Sequence, residues 1–217
     1  MPLRLLHLYR CNKKNIYGKH TIIHPLAHLE SCTLGDYCAI GENTHIKNVT
    51  MGSYSYIASE TNLENCTIGK FCSIGCNIRN HLGNHPTKQF VSTSPSFYSQ
   101  NPFNQISFVN KQYFPDYGQD VVIENDVWIG YGCVIMDGIT IHNGAIIGAM
   151  SIVTKDVPPY AIWVGNKVIK YRFQNDEIEK LLQIAWWDKN HKWLQTNYKK
   201  FHNISNFLKE YAQGGSI

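Results

Sequence analysis

Between residues 123 and 153 a large aliphatic residue stands at every sixth position: Ile123, Ile129, Ile135, Ile141, Ile147 and Val153. The same beat runs earlier through Leu34, Ile40 and Ile46, then Met51, Ile57 and Leu63, then Ile68 and Ile74, slipping by one residue at Met51 and again at Ile68. An amphipathic helix repeats every 3.6 residues and an ordinary strand every 2, so a period of six is neither; it marks a repeat architecture of the parallel β-helix kind. Four residues after the aliphatic the chain carries mostly small side chains, among them Cys38, Thr44, Thr50, Ser55, Thr61, Thr67, Cys72, Cys133, Ala145 and Ser151. Both positions are expected to point inward. Gly35, Gly41, Gly52, Gly69, Gly75, Gly130 and Gly148 directly follow the aliphatic and are expected to permit the bends between short flat strands. Three hexads would close one triangular coil, and stacked coils bury an aliphatic column that no single coil buries alone.

The hexads cover residues 16–79 and 123–158, and the segment between them, Asn80–Val122, breaks the beat. Insertions this long are usually functional or disordered. Phe90, Phe97, Tyr98, Phe103, Phe108, Tyr113, Phe114 and Tyr117 argue for an ordered excursion, which can wall a pocket on a rigid stack. Toward the C-terminus the period changes. Ile178, Leu181, Leu182, Ala185 and Trp186 recur at helical spacing, with Asn175 as the expected cap and Asp176 and Glu177 in the first turn, where the helix dipole favours acids. Trp187 and Trp193 extend this apolar surface, which is expected to cover the open end of the solenoid or a neighbouring subunit. The organisation expected is an N-terminal cap (1–15), a β-helix domain (16–170) with excursion 80–122, and a helical extension (171–217) whose last residues, from Ala212, look disordered.

A chain of 217 residues is one domain of ordinary size, and a net charge of +4 with scattered basic residues does not call for nucleic acid. No apolar run is long enough to span a membrane. The opening Met-Pro-Leu-Arg-Leu-Leu lacks the apolar core of a signal peptide, so a cytoplasmic location is expected. Of seven cysteines, Cys32, Cys38, Cys72 and Cys133 fall on the inward small position, where a thiol acts as a compact hydrophobe. No Cys-x-x-Cys pair exists and the count is odd, so neither a metal site nor a disulfide set is expected.

The hexads resemble the left-handed β-helix of the hexapeptide-repeat acyltransferases, and the handedness rests on that resemblance. The excursion opens with Asn80-His-Leu-Gly-Asn-His-Pro86 and continues through Ser92-Thr-Ser-Pro-Ser-Phe-Tyr98. This resembles both the xenobiotic-acetyltransferase branch, with a His followed by Ser-Thr-x-Pro, and the galactoside acetyltransferases, with a catalytic Gly-His-Pro. Both alignments land on His85. The segments Ser92–Tyr98 and Ile106–Phe114 look most like acetyltransferases that decorate bacterial surface polysaccharides. Moving an acetyl group from a thioester to a hydroxyl requires a base for the hydroxyl proton, and an imidazole with a pKa near 6.5 suits neutral pH. The imidazolium can then return the proton to the leaving thiolate. Fixed N–H donors for the developing oxyanion are not readable in the sequence. His81, four residues earlier, is read as a supporting or structural residue.

Residues 145–172, including Val153-Thr-Lys-Asp-Val-Pro-Pro-Tyr160 and Val164-Gly165, resemble the acetyl-CoA-binding end of the same family. The resemblance implies that Tyr131, Ala149, Thr154 and Lys155 line the pantetheine channel and that Lys167 and Lys170 meet the coenzyme's phosphates. It also places Trp128 beside the groove, though Trp128 could equally support the excursion. Lysines suit phosphates as point charges, and Lys155, Lys167, Lys170 and Arg172 lie within a short span. The family's Pro-Ala pair is missing from Val164-Gly-Asn-Lys-Val-Ile169, so the turn after Gly165 is shorter. The resemblance further implies a homotrimer with active sites between subunits.

The leading expectation is therefore an acetyl-CoA-dependent O-acetyltransferase acting on a sugar hydroxyl of a surface polysaccharide, with His85 as general base and no metal. An antibiotic hydroxyl or a nucleotide amino-sugar nitrogen is the alternative acceptor. A zinc enzyme of the γ-carbonic-anhydrase kind, needing three converging His ligands, and a catalytically inert binding solenoid are more remote.

Overall fold

The computed structural model describes residues 15–80 and 82–211. Of the expected N-terminal cap only Asn15 falls within them, and His81 and residues 212–217 lie outside. Short strands separated by bends stack in parallel, about 4.8 Å apart, into a solenoid of three faces. The first face carries Ile16–Tyr17, Thr33–Leu34, the ends of His45–Met51 and Asn62–Ile68, Val121–Ile123 and Thr140–Ile141. The second carries Ile22–Ile23, Ala39–Ile40, Tyr56–Ile57, Ser73–Ile74, Trp128–Ile129, Ile146–Ile147 and Ala161–Val164. The third carries His28–Glu30, the starts of the two long strands, Arg79, Val134–Ile135 and Ile152–Val153.

The six-residue beat is the inward column of this stack. Down the second face Ile40, Ile57, Ile74, Ile129, Ile147 and Trp163 lie in register and are buried, each aliphatic contributing roughly 1.5–3 kcal/mol. The slips at Met51 and Ile68 are one missing residue per coil, removed at the same corner each time. Partners are 17 residues apart there (Leu34 with Met51) and 18 apart beyond the excursion (Ile123 with Ile141). Ser31, Asn48 and Asn65 take left-handed backbone at that corner, and the Asn48 Nδ2 donates to Asn65 Oδ1 at 2.8 Å. Strand alternation then fixes the inward small residue two positions before the next aliphatic. Val49 and Cys66 are buried, and Thr50 and Thr67, expected inside, are exposed.

The glycines have a different reason from the one expected. Left-handed backbone falls two positions later, on Tyr37, Tyr54 and Phe71, whereas Gly35 and Gly130 have ordinary φ. A Cβ on Gly35 would stand 2.6 Å from the Ser53 nitrogen, and one on Gly130 would stand 2.7 Å from the Ala149 nitrogen. Glycine is therefore required by the close approach of successive coils, not by bend geometry. The buried hydroxyls are also coil-to-coil ties: Ser55 Oγ donates to the Gly69 carbonyl (2.7 Å) and accepts from Cys72 N (2.9 Å).

An antiparallel hairpin, Ala161–Val164 with Lys167–Tyr171, closes the C-terminal end through the two-residue connection Gly165-Asn166. Trp163 is fully buried beneath it and donates Nε1 to the Gly165 carbonyl at 3.2 Å. Three helices follow: Asn175–Ile184, His191–Asn197 and Ile204–Tyr211. The first begins one residue earlier than expected, with Gln174 as the cap, because the Glu177 carboxylate accepts the Gln174 N–H (3.0 Å). The helical segment does not cover the open end; the hairpin occupies that place. It lies instead along one edge of the solenoid. There His20, Tyr37, Tyr54 and Phe71 stack from coil to coil, Phe71 meets Trp186 at 4.9 Å, and Tyr54 Oη meets His191 Nδ1 at 3.1 Å. At the far end of that edge Arg172 donates to the Asp126 carboxylate (3.2 Å) and the Gly144 carbonyl (2.7 Å).

Candidate active site

The excursion is rooted on both sides in the third face. Arg79 bridges Asn62 and Val134 in the rung, and the buried Asn80 side chain pairs with both backbone groups of Glu64 at 2.9 Å. On the return, Gly118 N donates to Asp137 Oδ2 (2.9 Å) and Gly138 N to the Gln119 carbonyl (2.7 Å). Regular pairing resumes at Val121, two residues before the expected Ile123. Between these roots the segment is ordered around the buried Tyr98, whose ring meets Phe90 at 6.1 Å and Phe114 at 5.6 Å in edge-to-face geometry. The backbone adds Phe108 N to the Ser96 carbonyl and Tyr113 N to the Tyr98 carbonyl, both 2.8 Å.

His85 is an exposed residue of this excursion, five positions past Asn80 and so within about 18 Å of the root. Its Nδ1 lies 2.9 Å from the Thr93 carbonyl oxygen and 2.9 Å from Tyr98 Oη. A carbonyl only accepts, so Nδ1 carries the proton in the neutral ring and Nε2 is left with the lone pair. That is the state a general base needs. Thr93 belongs to the Ser-Thr-x-Pro segment, but its part as a carbonyl acceptor, and Tyr98 as a neighbour of His85, were not visible in the sequence. The only signal was the segment itself. His81 lies outside the described residues.

Of the residues expected to hold the coenzyme, Tyr131, Ala149, Thr154 and Lys155 lie on corners flanking the third face, and Trp128, Lys167 and Lys170 lie on the second face and its terminal hairpin. Tyr131 and Ala149 are exposed on the corner before strand Ile152–Val153, one coil apart, with Met150 N donating to the Tyr131 carbonyl at 2.7 Å. Thr154 and Lys155 follow that strand on the next corner, beside Met136, whose N donates to the Val153 carbonyl (3.0 Å). Lys167 pairs with Val164 next to Gly165, whose carbonyl accepts from Ile152 N at 2.8 Å. Trp128 is 54% exposed on the second face, so it projects outward as expected, between Ser73 and Ile146. The outward file continues from Ile146 to Ile162 and Lys170. Lys155, Lys167 and Lys170 are exposed and make no ion pair among the described residues, whereas Arg172 is committed to Asp126. Exposed lysines without an ion pair among the described residues suit phosphate groups as point charges. Among the described residues no group of three His, Cys, Asp or Glu side chains is placed to hold a metal ion, and no helix is long and apolar enough to cross a membrane.

Residues 120–155 match the bacterial transferase hexapeptide (six repeats) family. A chloramphenicol acetyltransferase of Agrobacterium fabrum is 43% identical over 121 residues, 54% of this chain and 56% of that protein. A probable macrolide acetyltransferase of Lysinibacillus sphaericus is 52% identical over 71 residues, 32% of this chain and 39% of that protein. The chain thus spans little more than half the length of the first of these relatives. A solved hexapeptide transferase family protein from Anaplasma phagocytophilum superposes with a TM-score of 0.54 at 18% identity, covering 80% of this chain and 88% of that one, which is a likeness of fold. Period, solenoid and repeat match agree: residues 120–155 carry the bacterial transferase hexapeptide repeat, and the chain is similar over about half its length to the chloramphenicol acetyltransferases.

Proposed function

We propose that this protein is an acetyl-CoA-dependent O-acetyltransferase acting on a hydroxyl of a sugar, in bacterial surface polysaccharide synthesis. The observation that carries the reading is the contact of His85 Nδ1 with the Thr93 carbonyl oxygen at 2.9 Å, an arrangement that puts the neutral ring's proton on Nδ1 and leaves Nε2 to take a hydroxyl proton. Acetyl-CoA supplies the activated acetyl thioester. Tyr131, Ala149, Thr154 and Lys155 would line its extended arm, Trp128 would flank it, and Lys167 and Lys170 would meet its phosphates. The relatives named as acetyltransferases support this class of cosubstrate. The protein works, on this reading, as a cytoplasmic homotrimer in which the excursion of one subunit faces the coenzyme groove of the next.

A sugar acceptor rests on the likeness of the Ser92–Tyr98 and Ile106–Phe114 segments to polysaccharide acetyltransferases. An antibiotic acceptor is the second reading, favoured by the names of the relatives. Steady-state kinetics with acetyl-CoA and a panel of oligosaccharides, chloramphenicol and a streptogramin separates the two. The proposal expects kcat/KM at least tenfold higher on a glycan hydroxyl; sustained turnover confined to the antibiotics would overturn the sugar reading.

A further inference from the structure

His85 meets two oxygens at one nitrogen, and the second one defines a role for Tyr98. With the Nδ1 proton directed at the Thr93 carbonyl, the Tyr98 oxygen 2.9 Å away is also an acceptor, and its own proton turns toward the Asn84 carbonyl at 3.5 Å. Tyr98 is almost fully buried and stands edge-on to the imidazole, with the ring planes at 84°. Burial, and then the charge of Asp116, push the phenol pKa up, so it keeps its proton. Asp116 also ties both flanks of the base together. Its main-chain oxygen accepts from Asn84 N (2.7 Å), and its carboxylate accepts from Ser99 Oγ and Gln112 Nε2, both at 3.1 Å.

We propose that Tyr98 is a positioning residue for His85: it shares the Nδ1 proton with Thr93, fixes the ring plane, and stabilises the imidazolium formed when Nε2 takes a proton. A hydrogen-bond acceptor on the charged form favours that form, so removing it lowers the affinity of His85 for its second proton. Among the described residues the other titratable groups on the segments packed about His85 are Lys88, Asp116 and Tyr117. The inference rests on His85 being the base.

The test is Tyr98→Phe, which keeps the ring against Phe90 and Phe114, followed by a ¹⁵N NMR titration of His85 and by kinetics. The expected result is a downward shift of the His85 titration by about half a pH unit, the acid limb of kcat/KM moving with it. A roughly tenfold fall in kcat with KM for acetyl-CoA unchanged is expected alongside. An unmoved titration would reduce Tyr98 to packing. An upward shift would make the phenol a donor to a bare Nδ1 and overturn the assignment. The wild-type spectrum is a second arm that needs no variant: Nδ1–H with a bare Nε2 is expected, and the opposite tautomer contradicts the proposal. Because the titration needs no acceptor, failure to detect acetyl transfer would count against the functional reading and leave the Tyr98 result standing.

Discussion

Cys72 and Cys76, four residues apart, show how place on a coil sets chemistry. Cys72 is fully buried and its thiol donates to the Glu124 carbonyl at 2.9 Å, while Cys76 is half-buried at a corner. Burial pushes the Cys72 thiol up to about 12 from 9.0, outweighing backbone hydrogen bonds that favour the thiolate. Alkylation of the native protein at pH 8, read by mass spectrometry, is therefore expected to modify Cys76 and leave Cys72 untouched until the chain unfolds. Label on native Cys72 would contradict the burial. A folded pKa above the unfolded one also means that the stability linked to this thiol is present below pH 9 and lost as the pH rises toward 12. The denaturation midpoint should fall across that window.

At the scale of the coil, the aliphatic column was legible because its period is imposed by burial alone. The corners were not. Left-handed backbone sits on His20, Tyr37, Tyr54 and Phe71, residue types that do not announce it, since the edge selects them for stacking against the C-terminal helices. For the same reason the glycine pattern was visible in the sequence and its cause was not. The cause is distance between neighbouring backbones, and it is testable. Gly35→Ala places a methyl 2.6 Å from Ser53 N, so the coils must separate locally, at a cost of about 1–3 kcal/mol measurable by urea denaturation. A change below half a kcal/mol would contradict the close-approach account, because φ at Gly35 is one that alanine also adopts and only the contact with Ser53 penalises the methyl.

Across the whole molecule, a rigid stack carries an irregular excursion; His85 lies on the excursion, and Lys167 and Lys170 lie on the hairpin at the end of the stack. The excursion was legible as a break in the beat, and His85 as the histidine within it. What holds His85 was not, because Thr93 and Tyr98 reach it from 8 and 13 residues away through a loop without periodicity. The lysines near the hairpin follow the solenoid's end, so their neighbourhood was readable from the repeat, while the two-residue connection at Gly165-Asn166 fixes which strand presents them. The proposed acetyl transfer with His85 as base is tested most directly by the rate of that transfer from acetyl-CoA in the wild type and in His85→Ala, beside the affinity of each for CoA. The account predicts a loss of roughly 10²–10⁴-fold in kcat with CoA affinity unchanged. Undiminished transfer by His85→Ala would contradict it.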